Sequence, residues 1–158
     1  MSWSLQLRNG DLVSDGAQLA QVTNQNKLIQ DLRCAILERR GTDDMHPRFG
    51  SLIDGGYDDQ GNWVSSLIGE DEINFVVTQV ESDLRKIALE HQSRQAARAQ
   101  DDRLVYGAST LNNPELLMEV RNVRFIQSQD KLMVTVSIRT GGNQDLDIDV
   151  PISTRGIL

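Results

Sequence analysis

Over the last forty residues the chain alternates strictly. Leu132, Val134, Val136 and Ile138 alternate with Met133, Thr135, Ser137 and Arg139, and after Gly141, Gly142 and Asn143, Leu146, Ile148, Val150 and Ile152 alternate with Asp145, Asp147, Asp149 and Pro151. Successive strand side chains point to opposite faces, so two such runs around a glycine-rich turn predict an antiparallel hairpin with one apolar face. A slip of one residue would turn that whole apolar set to solvent, so the register is tightly specified. A preceding strand over 118–127, joined through 128–131, completes a three-stranded meander.

One apolar sheet face needs a cover, and two earlier stretches have helical period. From 24 to 40, Leu28, Leu32, Ala35 and Ile36 recur at helical spacing, widened by Ile29 and Leu37; Thr23 or Asn24 caps the start and Gly41 supplies the stop. From Asp71, the residues Ile73, Val76, Val77, Val80, Leu84 and Ile87 form a second stripe. Glu70, Asp71 and Glu72 stand at its start, and His91, Arg94 and Arg98 towards its end, the order that a helix dipole favours. Trp3, Leu5 and Leu7 alternate ahead of an Asn-Gly-Asp turn, predicting a short N-terminal strand or hairpin. The expected fold class is α+β: two amphipathic helices packed on a C-terminal antiparallel three-stranded sheet.

With 158 residues the chain has the length of one domain. The reading divides it into N-terminal strands (1–23), a helix-loop-helix (24–91), an inserted connection (92–116) and the sheet (117–153). Within the second part, the Gly- and Asp-rich stretch from Asp54 reads as a surface loop or short linker.

Hydrophobic residues make up 39% and charged residues 25%, a globular composition. No apolar run approaches the roughly 18 to 20 residues of a membrane span, and the first residues lack the basic start and apolar stretch of a signal peptide. Synthesis in the cytoplasm and no membrane partner are the expectations. Cys34 is the one cysteine, falls on an apolar helix face and reads as a small core residue. A net charge of −7 argues against a nucleic-acid partner, which needs concentrated positive surface. The pairs Arg39/Arg40 and Arg94/Arg98 read as cations at helix ends.

Nothing here has the spacing of a catalytic, metal or nucleotide motif. Asp43, Asp44 and His46 could form a His-carboxylate pair, but no nucleophile motif accompanies them. Two His and one Cys offer no zinc spacing, and Asp54, Asp58 and Asp59 lack the register of a calcium loop. No phosphate-binding glycine loop is present, so no cofactor and no enzymatic activity are expected.

Two features read better as docking surfaces. In the stretch 38–53, Pro47 fixes its own φ and biases His46 to an extended form, Gly41 and Gly50 permit turns that other residues resist, and Phe49 can anchor the loop to the core. In the last strand, Asp145, Asp147 and Asp149 line one face and Pro151 removes a backbone donor, which suits a sheet edge and allows strand addition by a partner.

The helix ending in a basic residue and Gly41, followed by Met45, Pro47, Phe49, Gly50 and Ser51, resembles the G-x-x-x-M-x-P-x-[FY]-G-S stretch of baseplate wedge proteins of contractile phage tails, to which the TssE component of type VI secretion systems is related. The likeness runs over residues 20–89 and, by strand pattern, to Ile152. His46 and Arg48 stand where members often have Arg and an acidic residue. Asn113, Pro114 and Glu115 stand near the place of their Glu-Pro-Arg triplet, with Arg121 displaced. The resemblance implies a structural virion subunit, present in several copies arranged in a ring. It would clamp wedge proteins, with contacts to tube or hub proteins, and offer strands to the first ring of the tail sheath. It implies a wedge contact through Arg39, Gly41, Met45, His46, Pro47, Arg48, Phe49, Gly50 and Ser51, and a sheath contact through Asp145, Leu146, Asp147, Ile148, Asp149, Val150 and Ile152. Location in the tail baseplate follows, with the host cytoplasm during assembly. Two other readings stand beside it: a peptidoglycan-degrading, lysozyme-like enzyme, since members are sometimes so labelled, and a generic adaptor domain.

Overall fold

A computed structural model describes residues 3–8, 11–66, 73–128 and 131–153; the side chains of 73–77, 127, 128, 131, 132, 152 and 153 lie outside that description, and with them the predicted apolar positions Ile73, Val76, Val77, Leu132 and Ile152. The α+β class holds, but its predicted simplicity does not. Among the described residues twelve strands form five sheets around two helices, so the arrangement is not two helices on one three-stranded sheet.

The C-terminal sheet follows the alternation. Strands β10 (Leu117–Ser128), β11 (Lys131–Thr140) and β12 (Asp145–Ser153) pair antiparallel in sequence order. Val134, Val136, Ile138, Ile148 and Val150 are buried, while Asp145, Asp147, Asp149 and Pro151 face solvent. Two register shifts interrupt β10, between Leu117 and Glu119 and between Val120 and Asn122. Such bulges bend a strand and strengthen its twist.

Helix α1 (Asn24–Leu37) buries Leu28, Leu32, Ala35 and Ile36 against this sheet, as its spacing requires. Its N-cap residue Thr23 makes no side-chain capping bond. Instead the Asn24 amide donates to Glu115 Oε1 at 3.2 Å, from a single 3-10 turn (Asn113–Glu115) ninety-one positions away. A carboxylate held at a helix start satisfies an orphan donor and opposes the positive dipole end.

Helix α2 (Ile73–Tyr106) contributes Val80, Leu84, Ile87 and Ala88 to the same core. It spans 34 residues, roughly 50 Å at the α-helical rise, and three fifths of the predicted insertion are simply its continuation. His91, Arg94 and Arg98 therefore lie mid-helix, and the dipole explanation for them fails. Among the described residues, no helix is long and apolar enough to cross a membrane.

Two further corrections concern strands hidden by polar sequence. The predicted linker holds the second half of β8 (Ser51–Tyr57), which pairs parallel with β7 (Arg39–Arg40) and antiparallel with β9 (Trp63–Val64). Its Gly55 and Gly56 are buried, so this is no solvated loop. A Cβ on Gly56 would stand 2.6 Å from the Arg40 carbonyl oxygen, so the glycine marks close backbone approach rather than a flexible joint.

The N-terminal hairpin is instead a three-armed junction. The arms are β1 (Trp3–Leu5) with β6 (Gln21–Thr23), β2 (Leu7–Arg8) with β3 (Asp11–Leu12), and β4 (Ser14–Asp15) with β5 (Gln18–Leu19). At their centre Gln6 N–H donates to Ala20 at 2.8 Å, Ala20 N–H to Val13 at 2.8 Å, and Val13 N–H to Gln6 at 3.1 Å. The three residues stand seven positions apart along the chain, and their backbone groups close a ring of three hydrogen bonds. Gln30 of α1 holds the junction, donating to the Leu5 carbonyl at 2.8 Å and accepting from the Leu7 amide at 2.9 Å.

Candidate docking surfaces

The loop between β7 and β8 is braced from within. Asp43 accepts from the Met45 amide at 2.9 Å and lies 3.0 Å from His46 Nδ1, and these bonds hold its carboxyl below the usual range, the His46 side chain first. The His46 amide donates to the Asp43 carbonyl at 3.1 Å, and the Phe49 amide to the His46 carbonyl at 2.8 Å. The consecutive turns fix the loop without help from a ligand.

Its two ends differ from its tip. Ser51 is buried and its Oγ donates to the Ile36 carbonyl at 2.6 Å, satisfying one of the orphan acceptors at the end of α1. Phe49 packs on the core and lies under the Arg94 guanidinium, 4.9 Å from ring centroid to Cζ. Gly50 has φ +103°, and a Cβ there would stand 2.7 Å from the Glu38 carbonyl oxygen. Gly41 has φ +78°, with Tyr57 closing on it. In contrast Met45 is 83% exposed, and His46, Pro47 and Arg48 are exposed beside it. Of the nine loop positions, then, Gly41, Phe49, Gly50 and Ser51 hold the shape, while Met45, His46, Pro47 and Arg48 display a surface.

Arg39 and Arg40 part company. Arg39 is exposed and makes a bidentate contact with Asp54, 2.8 and 3.1 Å to one carboxylate oxygen. Arg40 is 4% exposed and donates to Asp59 and Glu90, both at 2.8 Å. Sequence reasoning placed both at a helix end and missed this buried tie. Period-two exposure across "RR" was the available signal, but only if a strand had been recognised there.

The strand candidate, β12, lies at a sheet edge, paired with β11 among the described residues. Its aspartates are already engaged across the sheet: Asp145 with Arg139 at 3.1 Å, Asp147 with Arg124 at 2.9 Å and Ser137, Asp149 with Thr135 at 2.7 Å. Arg121 joins Asp145 at 3.5 Å from the bulge in β10. Leu146, Ile148 and Val150 face the core, leaving backbone and acidic side chains for any partner.

Sequence reasoning also missed a cleft between the helices, into which His91, Arg94 and Arg98 project; their i, i+3, i+7 spacing was the signal. Cys34 lines it, half-buried rather than in the core, and burial pushes its thiol up, aided by Asp31 and Glu38. Among the described residues, no cluster of three or more His, Cys, Asp or Glu has metal-binding geometry.

No family's sequence profile matches this chain, and no curated protein sequence does. Its fold is similar to that of a proposed tail lysozyme from Geobacter sulfurreducens, known from a crystal structure at 1.44 Å resolution. The two are 13% identical, with a TM-score of 0.54 over 88% of this chain and 100% of that one. The likeness is one of fold.

Proposed function

We propose that this chain is a non-enzymatic structural subunit of a contractile-tail baseplate, docking wedge components around the tube and starting the sheath by strand pairing. The observation that carries the proposal is the fold shared with a tail protein over that protein's entire length. Two local features fit it. The 45–48 tip is exposed on a base held by Ser51, Phe49 and two strained glycines, which is the preorganisation a docking element needs. Strand β12 offers an edge whose side chains are satisfied at home, so an incoming strand would meet backbone groups and a settled acidic face.

A ring of copies, with wedge proteins and the sheath subunit as partners, follows from the same reading. The test is quantitative mass spectrometry of purified tail particles, comparing this chain with the sheath subunit. A fixed low ratio, compatible with one ring per particle, is expected; absence from the particle would overturn the assignment.

The word lysozyme in the neighbour's description supports a second reading, glycoside hydrolysis. That chemistry uses two carboxyl groups flanking an open cleft, one with its pKa raised. The carboxyl that burial raises here, Asp83, is 5% exposed and accepts the Leu52 amide at 2.6 Å, so it is spent on the fold. Release of soluble fragments from cell-wall polymer by the purified chain, lost in Glu38→Gln, which removes the carboxyl that flanks the loop of His46, would establish the hydrolase instead.

A further inference from the structure

A cleft of about 260 Å³ lies between the facing sides of α1 and α2. Its wall is apolar in part, at Leu28, Phe49 and Leu111, and polar where His91, Arg94 and Arg98 stand one helical turn apart, with the Arg94 guanidinium over the Phe49 ring.

The polar groups of that wall are underused. His91 Nε2 is buried and has no hydrogen-bond partner among the described residues. A buried polar atom without a partner costs free energy comparable to a lost hydrogen bond, so the site is incomplete as it stands. Besides the Phe49 ring under Arg94, the two arginines make only long ion pairs, 3.6 Å from Arg94 to Glu90 and 4.0 Å from Arg98 to Asp102. Both acids are shared: Glu90 Oε1 accepts from Arg40, and Asp102 Oδ2 accepts both the amide and the hydroxyl of Thr110.

The carboxylates of the cleft are committed as well. Asp31 pairs with Lys27, and Glu115 accepts the amides of Asn24 and Asn112, each at 3.2 Å. The residues that line the cleft set Lys27, Arg94 and Arg98 against Asp31 and Glu115, one positive charge in excess on a chain whose net charge is −7. Guanidinium groups present paired donors that match a carboxylate, and both arginine side chains remain about half exposed.

We propose that this cleft binds a carboxylate carried on an apolar stem, held by Arg94 and Arg98 with the His91 imidazole and seated against Phe49, Leu28 and Leu111. The stem is needed because half of the wall offers nothing to a bare anion. The carrier is either a small organic acid or the C-terminal residue of a polypeptide, and the proposal does not depend on the baseplate reading.

The test uses the full chain and three probes: 3-phenylpropionate for a small acid, N-acetyl-phenylalanine for a chain terminus, and N-acetyl-phenylalaninamide as the uncharged control. Binding is followed by amide and His91 ring NMR shifts. At least one acid is expected to saturate in the millimolar range, moving His91 and Arg94 resonances, with the amide leaving them in place. Loss of a charge-assisted hydrogen bond predicts at least roughly ten-fold weaker binding in Arg94→Gln and in Arg98→Gln, with Arg85→Gln on the same helix unchanged. Saturation by N-acetyl-phenylalanine identifies the site as one for a chain terminus; saturation by 3-phenylpropionate alone identifies a small-acid site. No saturable shift with either acid, or equal binding of the amide, would overturn the proposal. Far-UV spectra and melting of each variant separate a lost ligand from a lost fold.

Discussion

Arg40 and Glu90 meet at 2.8 Å although fifty positions separate them, and the arginine is 4% exposed. The contact ties β7, and through Asp59 the turn after β8, to the middle of α2. Glu90 is 27% and Asp59 60% exposed, so the buried charge is the guanidinium and the costly side to break is the acceptor's. Glu90→Met leaves Arg40 with Asp59 alone and is expected to lose about 1 to 3 kcal/mol in urea denaturation, whereas Arg40→Met loses less, because water reaches the carboxylates it frees. In the double variant both charges leave together, so much of the Glu90→Met loss is recovered. Additive losses in the double-mutant cycle would mean that the contact contributes packing alone.

The same pair shows which parts of the fold were legible. Alternation around Gly141 to Asn143 gave β11 and β12, because period two with one buried face has few other solutions. The apolar stripes of α1 and α2 were legible for the same reason. Strand β8 was not, because Asp54, Gly55 and Gly56 read as a linker, when the two glycines admit Val64 and Arg40 at close range and Asp54 holds Arg39. The N-terminal junction is held by three backbone bonds among Gln6, Val13 and Ala20, whose side chains carry no such message. For the loop between β7 and β8, the glycines and Phe49 were legible as shape-holding residues. The cleft needed the partner helix to be placed first.

Gly50 and Gly61 make a controlled comparison. Both have positive φ, +103° and +80°, but a Cβ on Gly50 would meet backbone atoms at 2.7 to 2.9 Å, whereas Gly61 faces open space. Gly61→Ala is expected to cost about 1 kcal/mol, the strain of the left-handed region alone. Gly50→Ala adds a collision that side-chain rotation does not relieve, so about 2 kcal/mol or more is expected. Chemical denaturation of the two variants checks the order, and equal costs would show that the backbone around Glu38 yields.

Loop anchors and loop tip should separate in the same way. Ser51→Ala leaves the Ile36 carbonyl without its buried donor and is expected to cost about 1 to 3 kcal/mol. Met45→Ala removes a side chain that is 83% exposed, so stability should change by no more than about 0.5 kcal/mol. If the tip docks wedge proteins, Met45→Ala and Arg48→Glu instead reduce incorporation into tail particles at normal stability. Unchanged incorporation of both would remove the tip from the proposed contact.

Two buried groups give the pH dependence opposite signs. Burial holds His91 below its ordinary 6.5, with Lys27 and Arg94 adding to the effect and Asp31 opposing it. Unfolding then takes up a proton, so stability present above pH 6.5 is lost as pH falls from there towards the folded pKa. Asp83 is raised above 3.8 by burial, against the Leu52 amide, Arg40 and Lys86, and with Glu90 in support. Its contribution is full below pH 3.8 and is lost as pH rises through the folded pKa. Asp83→Asn keeps an oxygen for the Leu52 amide and removes the buried charge, so it should raise stability at neutral pH. His91→Gln should flatten the decline below pH 6.5 without touching the limb due to Asp83. Urea unfolding at half-unit steps from pH 4 to 8 checks both. An Asp83→Asn variant no more stable than the parent at pH 7 would mean that the carboxylate's bond to Leu52 outweighs the cost of burying it.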